Sequence, residues 1–224
     1  MSKYVILVPA RSGSQRIINK NIRQFSGSSL LEIKLKQAKR VFKDIDLILN
    51  TDSKKYLELY DGLYDIGVLR PKEYATSDIP MNDVYEYFAN SLNQYQTVIY
   101  LNPTSPLIKD MSLIKILEMY ENLREEAITT VTKHYEYLWI NNKPINYDPS
   151  HHPKSQNLPP FYTLNFAASI LKINEMKIIR NIVTKTPHMY TLDNIESFDI
   201  DDEWQFNIAE NLFNRINTKN MIEK

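Results

Sequence analysis

The sequence predicts an α/β protein whose central sheet is mostly parallel. Short apolar segments of strand type alternate with helical segments along the first 132 residues, and this alternation is typical of βαβ units. The first apolar segment, residues 5–8, passes directly into a polar loop, as strands of open parallel sheets do at the edge where ligands bind. With 224 residues, of which 43% are hydrophobic, the chain can form one substantial core, so we expect a single domain.

Hydrophobic periodicity and capping residues place the elements in chain order. Strands are predicted at residues 5–8, 46–50, 66–69, 97–101, 127–132, 166–173 and 189–192. Helices are predicted at residues 29–42, 51–60, 82–92, 111–123, 175–180 and 202–216. Ser29 and Glu32 have the spacing of a capping box, and Asp52 is interpreted as part of the cap of the second helix.

Residues 134–162 form a segment rich in Tyr, Asn, His and Pro in which the pattern of strands and helices loosens. We expect an extended excursion with at most short strands there. Excursions of this length in compact domains are usually functional or lie at an interface.

The composition excludes several classes of function. Lys plus Arg and Asp plus Glu both number 27, so no overall field favours nucleic acid or an anionic membrane surface. Cysteine is absent, which excludes disulfides, thiolate catalysis and cysteine-ligated zinc. Neither a signal peptide nor an apolar stretch of membrane-spanning length is recognisable. We therefore expect a cytoplasmic protein that binds neither nucleic acid nor membranes.

The loop after the first predicted strand has the character of an anion-binding loop. It carries the cations Arg11, Arg16 and Lys20 and a single glycine, Gly13. Loop amides and cationic side chains at the carboxyl end of a buried strand form phosphate sites, and a triphosphate would suit this one. The dinucleotide pattern G-x-G-x-x-G and the Walker loop are both absent. The alternative interpretation is an ordinary solvated surface turn.

Asp199 and Asp201 form the second candidate site. They flank Ile200, and on an extended segment residues two apart share a face with Cα atoms about 6.5–7 Å apart. Magnesium is commonly held by one or two carboxylates while substrate phosphates complete its shell. The alternative is that Asp201 only caps the last helix; the cationic loop favours the metal.

Other polar residues follow predicted strands. Thr104 and Ser105 come after the strand at 97–101 and either bind substrate or cap the next turn. Arg70 and Asn82 are candidates for polar contacts to a base, although Arg70 is equally suited to a structural role.

Six motifs resemble those of one family. Residues 9–14 with 19–21 are similar to P-A-R-x-G-S-K…K-N, residues 69–73 to R-P-x-E-L-A, and residues 102–107 to Q-P-T-S-P-L-R. Residues 155–159 with Asn165 fall where that family has R-x-Q-D-L-P and R-x-N-G-A, and residues 198–201 match I-D-I-D. The chain thus resembles, over nearly its whole length, the acylneuraminate cytidylyltransferases, which make CMP-activated nonulosonic acids.

This chain departs from the family pattern at five positions. These are Gln15 for lysine, Asn102 for glutamine, Ile108 for arginine, Thr163 for arginine and Phe166 for glycine. The nucleotide loop loses one cation, and the sugar pocket loses two arginines that would pair with a carboxylate. Lys109 and Lys154 are candidates to compensate.

The resemblance implies a three-layer, Rossmann-like nucleotidyltransferase (GT-A-like) fold in one domain, 1–224, with residues 134–180 as the dimerisation and sugar-pocket insertion. It implies an enzyme that uses CTP and Mg²⁺ to activate an acidic nonulosonic-type sugar, releasing pyrophosphate, and that works as a homodimer. Catalytic roles are predicted for Arg11, Arg16, Lys20 and Asp201. Nucleotide contacts are predicted for Arg11, Ser12, Gly13, Ser14, Gln15, Arg16, Lys20, Asn21, Arg70 and Asn82. Sugar contacts are predicted for Asn102, Thr104, Ser105, Lys154 and Asn165, and metal ligation for Asp199 and Asp201.

Two other functions remain open. One is a metal-dependent GT-A-type glycosyltransferase, for which an Asp-x-Asp pair is equally apt but is expected nearer the middle of the chain. The other is a degenerate homologue that binds nucleotide without turnover, which the five departures motivate.

Overall fold

The computed structural model describes residues 2–124 and 126–222. The strands in these ranges are β1 (Ser2–Pro9), β2 (Gln24–Phe25), β3 (Ser28–Ser29), β4 (Leu47–Thr51), β5 (Ile66–Leu69), β6 (Tyr95–Leu101), β7 (Ile128–His134), β8 (Trp139–Ile140), β9 (Lys143–Pro144), β10 (Phe161–Lys172) and β11 (His188–Leu192). The helices are α1 (Leu30–Val41), α2 (Lys54–Leu59), α3 (Met81–Ser91), α4 (Asp110–Asn122), α5 (Ile173–Ile179) and α6 (Glu203–Ile222).

A seven-stranded sheet forms the centre of the structure, in the order β11-β7-β10-β6-β1-β4-β5. Neighbouring strands are parallel, except that β10 runs antiparallel to both β6 and β7. The predicted α/β fold with a mostly parallel sheet is therefore confirmed. β1 lies between β4 and β6, so the loop that follows it emerges at the middle of the sheet edge.

Helices cover both faces of the sheet and so produce three layers. On one face, α1 and α4 pack against β1, where Leu35 shares a buried cluster with Ile6. On the other face, α3 and α5 pack together against the sheet, where Phe88 of α3 shares a cluster with Leu7 of β1. Residues 5–8 are fully buried. Because this strand is covered on both faces, its sequence is a continuous apolar run.

A third, smaller cluster joins the end of the chain to the loop after β1. Ile17 of that loop is buried together with Ile200 and Phe206. The ring of Phe206 meets Phe25 edge to face, with centroids 5.3 Å apart. This cluster holds the segment that precedes α6 beside the loop after β1.

The main difference from the predicted elements concerns β10. It begins at Phe161 rather than at residue 166, inside the segment predicted as an excursion. Its first residues are mostly exposed, so they lack the apolar run that would have identified a strand. A register shift between Leu164 and Ser169, with Phe166 at a φ of 54°, separates this part from the buried part that was predicted.

Between β7 and β10 the chain forms the expected excursion with two short strands, β8 and β9. Tyr137 stacks on His152 with ring centroids 4.6 Å apart and meets Tyr147 at 4.9 Å. Trp139 and Ile140 of β8 remain 53% and 58% exposed, so this small aromatic cluster leaves an apolar surface uncovered. Among the described residues, no helix combines the length and apolar character needed to cross a membrane.

Candidate functional site

The predicted polar residues converge on a cleft of about 400 Å³ beside the carboxyl ends of β1 and β6. The predicted residues that line it are Arg11, Ser14, Gln15, Arg16, Lys20, Asn21, Arg70, Asn102, Thr104, Asp199 and Asp201. The sequence analysis missed a set of lining residues after β5, namely Tyr74, Thr76, Ser77, Ile79 and Met81. Their only signal was their place in the polar loop that follows a predicted strand.

The loop after β1 is shaped by a carboxylate from the neighbouring strand. Ser12 donates to Asp52 from its backbone N–H at 2.8 Å and from its hydroxyl at 2.7 Å. Asn21 donates from Nδ2 to the carbonyl of Arg11 at 3.0 Å. These contacts fold the loop back on itself and leave Gly13 exposed.

The assignment of Asp52 to helix capping is therefore wrong. The N-cap of α2 is Ser53, whose Oγ accepts from the backbone N–H of Tyr56 at 3.3 Å. Asp52 follows β4, which lies next to β1, so its side chain reaches the loop after β1. Because Asp52 follows a strand that is a parallel neighbour of the first strand, its position in the sequence could have indicated a contact with the loop after β1.

Two side chains of the loop reach residues that follow β5. Arg11 donates from a terminal guanidinium nitrogen to the carbonyl of Thr76 at 3.2 Å. Gln15 donates from Nε2 to the hydroxyl of Ser77 at 2.7 Å. The loop after β1 and the segment after β5 thus form two connected walls of the cleft.

Asp199 and Asp201 both lie in the cleft but in different surroundings. Asp199 accepts from the hydroxyl of Thr104 at 2.5 Å and from that of Ser105 at 3.5 Å. Asp201 accepts from Arg16 at 2.8 Å, and its side chain is 46% exposed. Asp202, and not Asp201, accepts from the first turn of α6, at the N–H of Gln205. The capping alternative for Asp201 is therefore wrong.

The electrostatics of the cleft couple these acids to Lys20. Lys20 donates to the carbonyl of Ile200 at 2.6 Å and lies 4.0 Å from Asp201. Burial lowers the pKa of Lys20, and the charges of Asp199 and Asp201 oppose that shift. Burial likewise raises the pKa of Asp199, to which the negative charge of Asp201 adds. A hard divalent cation bound by the two carboxylates would offset both the burial cost of Asp199 and the repulsion it experiences from Asp201.

The two residues predicted to face a base are placed differently. Arg70 lines the cleft but is only 6% exposed. Its guanidinium donates to the side chain and carbonyl of Asn50 at 2.7 and 3.1 Å and lies over the Phe88 ring. Asn82 instead donates to the carbonyl of Arg180 at 2.7 Å and is not brought to the cleft, so its contact with a base stays a prediction.

Of the residues predicted to contact a sugar, Asn102 and Thr104 line the cleft. Ser105 is fully buried behind them. Asn165 is engaged between β7 and β10, where it accepts from Thr130 at 2.6 Å, and Lys154 is exposed on the excursion. The structure therefore does not gather these five residues into one pocket.

Lys109, one of the two candidates to compensate for the missing arginines, is also occupied elsewhere. Lys109 donates to Asp193 at 2.8 Å and lies 3.7 Å from Glu196. Ile108, where the family has arginine, is buried, and Thr163 bonds to His134 at 2.8 Å.

Comparisons with known proteins identify sequence relatives of this chain. The chain is 24% identical to the N-acylneuraminate cytidylyltransferase of Escherichia coli O18:K1:H7, over 97% of its own length but only 57% of that protein. It is 26% identical to the CMP-N,N'-diacetyllegionaminic acid synthase of Campylobacter jejuni, over 100% of its own length and 99% of that protein. It thus spans little more than half of the first relative and nearly all of the second.

A solved structure of CMP:2-keto-3-deoxy-manno-octonic acid synthetase complexed with CTP superposes with a TM-score of 0.69 at 12% identity, over 96% of this chain and 99% of that one. This likeness confirms the predicted nucleotidyltransferase fold. The sequence model of the family described as cytidylyltransferase matches residues 5–203. The chain therefore belongs to the cytidylyltransferase family.

Proposed function

We propose that this protein transfers the cytidylyl group of CTP to an acidic nonulosonic-type sugar, giving a CMP-sugar and pyrophosphate. The observation that carries the proposal is the meeting of Arg11, Arg16 and Lys20 with Asp199 and Asp201 in one cleft. Membership of the cytidylyltransferase family supports CTP as the nucleotide. The names of two relatives, N-acylneuraminate cytidylyltransferase and CMP-N,N'-diacetyllegionaminic acid synthase, support a nonulosonic-type sugar as the acceptor.

In this reaction a sugar hydroxyl attacks the α-phosphorus in line, so the protein contributes positioning and charge neutralisation rather than covalent chemistry. Arg11, Arg16 and Lys20 bind the triphosphate oxygens together with the backbone amide of the exposed Gly13. Arg70 is held rigidly by Asn50 and borders the region proposed for the base. Asn102 and Thr104 border the region proposed for the sugar.

Asp199 and Asp201 would hold Mg²⁺, which neutralises phosphate charge when it is bound. Thr104 and Ser105 orient the carboxylate of Asp199 through their hydroxyls. Lys20 stays close to Asp201, so it is placed to bind a phosphate oxygen beside the metal site.

We also propose that the protein is a homodimer that uses residues 134–180, and that it acts in the cytoplasm, where CTP is available. The dimer is supported by the large apolar side chains that the excursion and the start of β10 expose, which are Trp139, Ile140, Ile145, Tyr162 and Leu164. Patches of this kind mark interaction surfaces. Light scattering of the purified protein should give twice the mass of one chain, and a mass of one chain would contradict the dimer.

The function is tested by incubating the purified protein with CTP, Mg²⁺ and a panel of nonulosonic acids while pyrophosphate is measured. We expect release with at least one acid and little with ATP or UTP in place of CTP. The absence of release with every acid would count against the enzyme and favour a nucleotide-binding homologue. Transfer of sugar from a nucleotide-sugar donor without pyrophosphate would favour the glycosyltransferase.

A further inference from the structure

Lys34 is a fully buried lysine on the inner face of α1. Its side chain is 0% exposed, although lysine is almost never fully buried unless it is paired. Its ammonium donates to the side-chain oxygen of Gln37 at 2.8 Å and to the carbonyl of Ser105 at 3.0 Å. Neither acceptor is a carboxylate, and burial lowers the pKa of Lys34 to about 7. A placement this costly needs a reason beyond packing.

The contacts of α1 also fix a second point of the loop after β6, the loop that contains Ser105. Gln37 donates from Nε2 to the carbonyl of Ile108 at 2.7 Å and to Asp110 at 3.0 Å. Asp110 in turn accepts two hydrogen bonds from Arg40. The loop after β6 is therefore tied to α1 through two of its backbone carbonyls, those of Ser105 and Ile108.

The opposite side of this loop holds the segment with the metal-site carboxylates. The hydroxyls of Thr104 and Ser105 donate to Asp199, and the carbonyl of Thr104 accepts from the N–H of Ile200 at 3.0 Å. Only residues 104 and 105 thus separate the ammonium of Lys34 from Asp199.

We infer that Lys34 is a positioning residue that fixes the carbonyl of Ser105, so that Thr104 and Ser105 orient the carboxylate of Asp199 toward the metal position. The inference rests on the proposed function for the role of Asp199. Partners that orient a metal ligand from behind typically change metal affinity or activity about 10–100-fold when they are removed. Lys34 acts one residue further away, so an effect near the lower end of that range is expected.

The test replaces Lys34 by methionine, which keeps most of the stem volume and removes the ammonium. Lys36→Met is the matched control, because Lys36 lies on the same helix with an exposed side chain that pairs only with Glu32 among the ion pairs of the described residues. The concentration of Mg²⁺ needed for half-maximal activity should rise roughly tenfold in Lys34→Met, with little change in the KM for CTP. Lys36→Met should behave as the wild type does.

A second readout requires neither substrate nor turnover. Hydrogen exchange of the Ile200 amide, which donates to the loop at Thr104, should accelerate in metal-free Lys34→Met and remain unchanged in Lys36→Met. If the wild type releases no pyrophosphate, the proposed function fails, while this exchange still decides whether Lys34 positions the loop.

A lowered melting temperature with unchanged Ile200 exchange and unchanged Mg²⁺ dependence would overturn the inference, since it would leave Lys34 a purely structural role. If Lys34→Met does not fold, Lys34→Leu, which likewise lacks the ammonium, replaces it in both measurements. The same two outcomes then support or overturn the inference.

Discussion

Replacing Asp52 by alanine tests whether the carboxylate after β4 builds the nucleotide loop. The change removes both acceptors of Ser12, the one for its N–H and the one for its hydroxyl. Hydrogen bonds to charged groups contribute about 1.5–3 kcal/mol each, but Asp52 is partly exposed and solvent replaces part of this. We therefore expect the binding free energy of CTP to weaken by about 1–3 kcal/mol, which corresponds to a roughly 5- to 150-fold rise in the KM for CTP.

The sign of this effect separates two physical contributions. Removal of a negative charge near a phosphate site would by itself favour an anion, but exposed charges contribute only about 0–1 kcal/mol. The loss of the loop anchor is larger, so a weaker affinity for CTP is the expected result. The assay is steady-state pyrophosphate release at varied CTP, with Asp61→Asn in the exposed turn after α2 as the control. An unchanged or lower KM in Asp52→Ala would refute the assigned role.

Three further predictions concern the cleft and the buried lysine. Asp201→Ala should abolish turnover and leave the far-ultraviolet circular dichroism and melting temperature unchanged, because its side chain is 46% exposed; substantial residual turnover would remove Asp201 from the metal site. Gln15→Lys should lower the KM for CTP, because Gln15 lines the cleft and its bond to Ser77 is exposed; an unchanged or higher KM would indicate a loop adapted to another substrate. Burial lowers the pKa of Lys34 to about 7, although the charge of Asp110 opposes this shift. Above that pH the unfolded chain therefore binds more protons than the folded chain does. The free energy of unfolding of the wild type should then rise relative to that of Lys34→Met, by about 2 kcal/mol between pH 7 and pH 9. Urea unfolding at the two pH values measures this difference, and a gap between the proteins that is independent of pH would contradict it.

The fold could be predicted because local pattern and tertiary structure agree along most of the chain. The apolar run at residues 5–8 became the central strand, and Ser29 caps α1 by accepting from the N–H of Glu32. The start of β10 escaped prediction because its side chains are mostly exposed. Strand pairing there depends on β7, a partner distant in sequence, which a local pattern does not reveal.

The site could be predicted in part, for a similar reason. Arg11, Arg16 and Lys20 follow a recognisable strand, so their convergence could be expected. The role of Asp52 depends on which strands are neighbours in the sheet, and an Asp before a helix also suits a cap. Asn82 bonds to a carbonyl distant in sequence, that of Arg180. The position of Asn82 relative to the family motifs does not reveal this contact.

The burial of Lys34 could have been predicted from its position in the sequence. It lies four residues after Leu30 and four before Ala38, both of which are buried on the same face of α1. Residues four apart share a helix face, so a lysine in this stripe indicates a buried polar contact. The identity of its acceptor, a backbone carbonyl of the loop after β6, follows only from the packing of α1 on that loop.

We propose that cytidylyl transfer takes place in the cleft formed by the loop after β1 and the Asp199–Asp201 segment. Phosphorus NMR of the wild type with CTP, Mg²⁺ and a nonulosonic acid tests it most directly, because it observes every phosphorus product. We predict that CTP is converted into equal amounts of pyrophosphate and a new CMP phosphodiester, and that neither forms when the acid is omitted. Formation of CDP and inorganic phosphate, or unchanged CTP with every acid supplied, would contradict the claim.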